Sequence, residues 1–230
     1  MFTETRLVDL SHTIEDGIVT YRGLPAPVIC DFLSREESRS HYAPGTEFHI
    51  GRIDMVANTG TYLDTPFHRF ADGFDLSELS LESVADLDGL LLRFTERDER
   101  AITAEMIRSA LGDESVRDRA VLVNTGWDSH WRTDQYFEGH PFLTAAAAAY
   151  LVANGPRLVG IDSLNIDDID DLARPVHTQL LRAGIPIVEH LCCLTGLPTA
   201  GFRFSAVPVK VRGMGTFPVR AFASLGSARE

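Results

Sequence analysis

The segment Asn58-Thr-Gly-Thr-Tyr-Leu-Asp-Thr-Pro-Phe-His68 is the densest collection of reactive side chains in the sequence. Asp64 and His68 stand four residues apart, a carboxylate and an imidazole that can orient a general base or share a metal ion. A helix would set both on one face. Pro66 removes a backbone donor, however, and argues for a rigid loop, with Gly60 permitting a tight turn before it. Taken alone, Asp-x-Pro-x-His reads equally well as a structural turn. A second pair, His177 and Glu189, joins an imidazole to a carboxylate, donors that suit Zn²⁺ or Mn²⁺. The same pair can equally form a plain hydrogen bond.

Other residues bear on binding. Trp127, His130, Trp131, Tyr136 and Phe137 form an aromatic stretch on which a flat substrate can stack, or which simply packs a surface arm. Asp167, Asp168, Asp170 and Asp171 lack the glycine and the bidentate glutamate of a calcium-binding loop and read as a solvated turn. His12, His41, His140 and His190 are expected to be structural. His49, just upstream of Asn58, is the exception to revisit. Arg203, Lys210, Arg212 and Arg220 offer either an anion contact or local charge balance.

These residues need elements to hold them. Leu7 to Ile14 reads as a short strand, and residues 1–45 as an N-terminal strand and arm carrying Tyr21 and Phe32. Strands are expected over Phe48 to Ala57, Ala120 to Asn124, Arg157 to Asp162 and Pro186 to Leu191. Helices are expected over Ser80 to Leu87, Thr103 to Leu111, Thr144 to Ala153 and Val176 to Ala183, the third started by Thr144 and stopped by Asn154-Gly155-Pro156. Phe204 to Val211 and Thr216 to Ala223 are β-rich. Strand and helix alternate, which places the chain in the α/β class, as a single domain over residues 1–230.

Composition narrows the partners. With 21 Lys+Arg against 33 Asp+Glu in 230 residues, the net charge of −12 repels phosphate backbones and anionic lipid, so no nucleic-acid or membrane role is expected. The longest apolar run, Ala145 to Ala153, is too short to span a bilayer. Cys30, Cys192 and Cys193 are odd in number, two of them adjacent. They read as free thiols in a reducing cytoplasm, all three as small core residues.

Taken together, the segments resemble the cyclase-like metal-dependent hydrolases that include bacterial kynurenine formamidase and isatin hydrolase. The family signature is His-x-Gly-Thr-His-x-Asp-x-Pro-x-His, and residues 58–68 match five of its seven fixed positions. The likeness extends to Val8-Asp-Leu-Ser-His12, Val121 to Asp128, Gly139 to Leu143, Gly160-Ile-Asp162, and the His177 and Glu189 pair. It implies a swivelling β/β/α fold with a mixed sheet and flanking helices, a small-molecule substrate, no organic cofactor, and assembly as a homodimer or homotetramer. Carried over residue by residue, Asp64, His177 and Glu189 occupy metal positions and His68 the acid/base position. Asn58 and Tyr62 replace two histidine ligands. An amide oxygen is a poor zinc ligand, and a phenol must lose its proton to bind well.

Three readings of the site follow. Asp64, His177 and Glu189 can hold Mn²⁺, Zn²⁺ or Mg²⁺ and keep the family's hydrolysis of an amide, formamide or cyclic amide. Alternatively, His68 activates water without metal, with Asp64 or Glu189 orienting it, while Tyr62 and Asn58 donate to an oxyanion. The third is a binding pocket without turnover. Trp127 and Trp131 are the expected substrate contacts in the first two.

Overall fold

The computed structural model describes residues 5–96 and 98–226. In chain order, β1 (Arg6–Asp9) is followed by a separate ribbon of β2 (Val28–Leu33) and β3 (Ile50–Asp54), joined through the short helix α1 (Arg35–Ser38). Then come β4 (Tyr62–Asp64), β5 (Leu87–Arg93), β6 (Ala101–Ile102), α2 (Ala104–Leu111), β7 (Ala120–Asn124), β8 (Phe142–Leu143), α3 (Ala145–Asn154) and β9 (Leu158–Ile161). The chain continues with α4 (Pro175–Arg182), β10 (Ile187–Glu189), β11 (Ala200–Ser205), β12 (Thr216–Pro218) and β13 (Phe222–Leu225).

Nine strands form one mixed sheet in the order β1-β13-β11-β5-β7-β9-β10-β4-β12. β5, β7, β9 and β10 run parallel at its centre, and antiparallel strands complete both sides. The central strands are buried on both faces, as parallel strands usually are, so they read as continuous apolar runs. Alternate residues serve different cores. Leu90, Leu92, Val121, Val123, Val159, Ile161 and Ile187 pack against Ile107, Leu151 and Leu180 of the helices. Leu91, Leu122, Leu158 and Val188 pack with Leu63, Phe202 and Phe204 of the flanking strands on the opposite face. Each such fully buried side chain contributes about 1.5–3 kcal/mol.

The helix ends obey their sequence signals. Thr103 and Thr144 cap α2 and α3 by accepting from the backbone N–H groups of Met106 and Ala147, and Gly155 ends α3 at φ 66°. Five expectations need correction. Phe204 to Val211, expected β-rich, is strand only to Ser205, where β11 ends, and of the cysteines expected in the core Cys30 and Cys193 are exposed because each lies at the surface of its segment. The helix expected over Ser80 to Leu87 is a single 3-10 turn, Leu81–Ser83, because Asp86 turns into the left-handed region and Leu87 opens the buried strand β5. The loop expected over residues 58–68 contains β4, and only Pro66–His68 forms a 3-10 turn. The Thr216 to Ala223 stretch splits into β12 and β13, which lie toward opposite ends of the sheet.

Candidate functional site

Strand register builds the site. In β4, Tyr62 and Asp64 are two apart and share a face. Glu189 at the carboxyl end of β10 pairs across from Tyr62, and Thr216 of β12 pairs across from Asp64. All four therefore project on the helix side of the sheet, where α4 presents His177. Gly60 supplies the turn before β4 at φ 67°. Immediately after β4, the turn at Pro66 carries His68 back toward Thr216.

Asp64 is completely buried, and its Oδ1 accepts the Thr216 hydroxyl proton. The same Thr216 oxygen lies 2.8 Å from His68 Nδ1. A hydroxyl has one proton to give. Since Thr216 gives it to the acceptor-only carboxylate, His68 must donate from Nδ1, which leaves Nε2 as the basic nitrogen. Burial pushes the Asp64 carboxyl up, but His68, His177 and Thr216 outweigh it and hold the group below the usual range. It is ionised at neutral pH.

His177 is fixed from behind. Asp167 accepts its Nδ1–H at 2.7 Å and also the backbone N–H groups of Val176 and His177, so one carboxylate holds both the ring and the first turn of α4. The Nε2 atom then lies 3.6 Å from Asp64 Oδ2 and 3.6 Å from Glu189 Oε1, too far for hydrogen bonds. Burial opposes charging of this imidazole. The surrounding carboxylates of Glu189, Asp167 and Asp64 prevail and raise it to about 10. Burial and Asp64 lift Glu189 to about 7 against the pull of His177.

The Tyr62 hydroxyl donates to Glu189 Oε2 at 2.6 Å. Burial, then Glu189 and Asp64, push the phenol well above 10, so it is a neutral donor. Glu189 Oε1 in turn accepts from the Ile166 N–H at 2.6 Å. Asn58, Tyr62, His68, His177 and Glu189 all line one open cavity of about 220 Å³.

Among the described residues, Asp64, His68 and His177 each offer one ligand atom within 4.8 Å of the others, a group that could hold a metal ion. Asp64 Oδ2 has no hydrogen-bond partner although buried. An unsatisfied carboxylate oxygen beside an imidazole nitrogen fits a divalent cation.

The fold thus gathers Asn58, Tyr62, Asp64, His68, His177 and Glu189 in one place. Trp127 and Trp131 are not among the residues lining the cavity. Trp127 Nε1 donates to the Tyr136 carbonyl, and Trp131 stacks on His12 at 3.9 Å. His49, just before β3, lies 2.8 Å from Asp31 of β2 and is not among the residues lining the cavity. Asp167, expected in a solvated turn, is fully buried. Sequence reasoning missed it, along with Thr216 and the cavity-lining Asn165, Arg69 and Arg174. Thr216 carried no local signal.

Residues 8–168 match the family described as "Putative cyclase". The kynurenine formamidase of Bacillus cereus (strain ATCC 14579) is 28% identical over 221 residues, 93% of this chain and 95% of that protein. Isatin hydrolase A from Labrenzia aggregata, solved with benzyl benzoate, superposes with a TM-score of 0.80 at 22% identity, over 97% of this chain and 94% of that one. A structure from Bacillus stearothermophilus, described as a predicted metal-dependent hydrolase, gives 0.74 at 27% identity, over 96% and 98%.

Proposed function

The chain belongs to the putative cyclase family, and from that premise we propose that it hydrolyses a carbon–nitrogen bond of a small carbonyl compound: an amide, formamide or cyclic amide. The observation that carries this reading is the line from Asp64 through Thr216 to His68, which fixes the imidazole and leaves its Nε2 basic. The names of the kynurenine formamidase and isatin hydrolase relatives support it.

In this reading His68 Nε2 takes a proton from water as the water oxygen adds to the carbonyl carbon. The C–N bond breaks as His68 returns that proton to the leaving nitrogen, giving a carboxylic acid and an amine. Asp64 stabilises the imidazolium formed in between, through Thr216. The Asn58 amide, which lines the cavity, donates to the developing oxyanion. Tyr62 was expected in the same role; with its proton held by Glu189, we assign it instead to orienting Glu189.

Asp64 and His177, with Glu189 as a further oxygen donor, would hold a divalent metal, Mn²⁺, Zn²⁺ or Mg²⁺. Bound there, it would supply Lewis acidity and a water of lowered pKa. A second reading, water activation by His68 alone, is favoured by the Tyr62 to Glu189 hydrogen bond, which occupies one oxygen of that donor. Against a pocket without turnover stands His68 itself, whose side chain is 35% exposed and lines an open cavity.

We further propose that the protein works as a cytoplasmic homodimer or homotetramer. The free thiols Cys30, Cys192 and Cys193 support the compartment. Phe32 at 71%, Phe48 at 53% and Ile53 at 57% exposure on or beside the β2–β3 ribbon support the assembly, since a lone two-stranded ribbon needs cover.

The test is a panel of N-formylanilines and cyclic amides, assayed after dialysis against Mn²⁺, Zn²⁺ or Mg²⁺, with metal content measured on the same samples and on Asp64→Ala. Turnover of one compound, lost in the variant, is expected. No hydrolysis under any metal condition would overturn the proposal.

A further inference from the structure

Two arginines line the same cavity. Arg69 follows His68 on the turn after β4, and Arg174 immediately precedes α4. Neither makes an ion pair with a carboxylate among the described residues. Among the described residues Arg6, Arg35, Arg52, Arg93, Arg117 and Arg212 share that state, but Arg69 and Arg174 are the ones that line this cavity. Arg100, Arg119, Arg157, Arg182, Arg203 and Arg220 are all matched to acidic partners, as expected where acidic residues outnumber basic ones and the net charge is −12. Of the four cations that the C-terminal sequence offered for an anion, two are spent: Arg203 pairs with Asp86, and Arg220 with Asp9.

Arg174 is also held in place. Its backbone is left-handed, at φ 47° and ψ 59°, a conformation that costs a non-glycine residue free energy. Its Nη1 donates to the Asp168 carbonyl at 2.9 Å, which anchors one end of the guanidinium and leaves other N–H donors of the fork uncommitted. Arg69 is exposed, with its guanidinium 5.4 Å from the Phe70 ring centroid.

The cavity is therefore polarised. Its buried end carries the Glu189 carboxylate, with Asp64 buried close by across His177, and these repel an anion; its outer part carries two guanidinium groups without acidic partners. Resting on the hydrolase reading above, we infer that the substrate is an anion: a small amide bearing a carboxylate that Arg69 and Arg174 grip while the amide points inward to His68. A guanidinium fork suits the planar carboxylate, and a charge-assisted pair of this kind fixes orientation as well as affinity. The volume of about 220 Å³ suits a single-ring compound.

The experiment compares benzoate with its neutral counterpart benzamide by calorimetric titration of the metal-loaded protein. Wild type, Arg69→Gln and Arg174→Gln are titrated alike. In parallel, hydrolysis of 2-formamidobenzoate is compared with that of formanilide. Benzoate is expected to bind at least about tenfold more tightly than benzamide, with the preference falling toward unity in both variants. The variants keep Asp64, His177 and Glu189, so a carboxylate held by a metal alone would leave the preference unchanged. Equal binding of the two probes by wild type, or a preference that survives both substitutions, would overturn the inference. Equal hydrolysis of both amides would overturn it too while leaving the hydrolase reading intact. A benzoate preference lost in the variants with no amide turned over would do the reverse.

Discussion

At the scale of single residues, the proposed hydrolysis turns on which nitrogen of His68 is basic, and the Thr216 hydroxyl decides it. Thr216→Val keeps the shape and removes the hydroxyl, so kcat is expected to fall by about 10²-fold with KM little changed, while Thr216→Ser restores most of the rate. Stopped-time assays of the three proteins check this; a valine variant at wild-type rate would remove Thr216 from the mechanism. The spacing of Asp64 and His68 was legible in the sequence because both lie in one short segment. Thr216 was not, because it stands 152 residues from Asp64 and meets it only through the pairing of β4 with β12. Likewise, a buried Asp167 looks the same in sequence as its exposed neighbours. Only the fold shows that it caps α4 and steers His177.

At the scale of elements, the site depends on strands packed closely enough to bring His68 onto Thr216. Gly215 is where this is tightest: a Cβ there would come within 2.2 Å of the His68 backbone nitrogen. Gly215→Ala must push the Pro66–His68 turn away. The expected result is a loss of about 1–3 kcal/mol in denaturant unfolding together with loss of activity; an active variant of unchanged stability would show that the turn yields freely. Helices α2, α3 and α4 were legible because each carries its own start and stop residues. β4 was hidden by its polar, proline-containing surroundings, since three residues give too little periodicity to read. Leu87 to Arg93 was missed as a strand because the serines and acids before it suggested a helix start, whereas burial on both faces decides its form.

At the scale of the whole molecule, imidazoles that folding withdraws from water tie stability to pH. His12 stacks on Trp131 with its Nε2 buried and unpartnered; burial, aided by Arg132, lowers it from 6.5 to about 4. Unfolding lets it take a proton that the native state refuses. Its contribution is therefore complete above pH 6.5 and lost as pH falls from there to about 4, by up to about 3 kcal/mol. Urea midpoints from pH 7.5 to 4.5 should fall steeply, and less steeply in His12→Gln; parallel curves would exclude His12 as the source. The proposed assembly is tested by sedimentation at several concentrations, where a monomer throughout would count against a covered β2–β3 ribbon. The central claim, that His68 is the base for hydrolysis of a carbon–nitrogen bond, is met most directly by one comparison. The rate on the best formamide or cyclic amide is measured for wild type and His68→Ala at matched metal content, after unfolding curves show both to be folded. The account predicts a loss of about 10²- to 10⁴-fold in kcat for the alanine protein. Equal rates in the two proteins would contradict it.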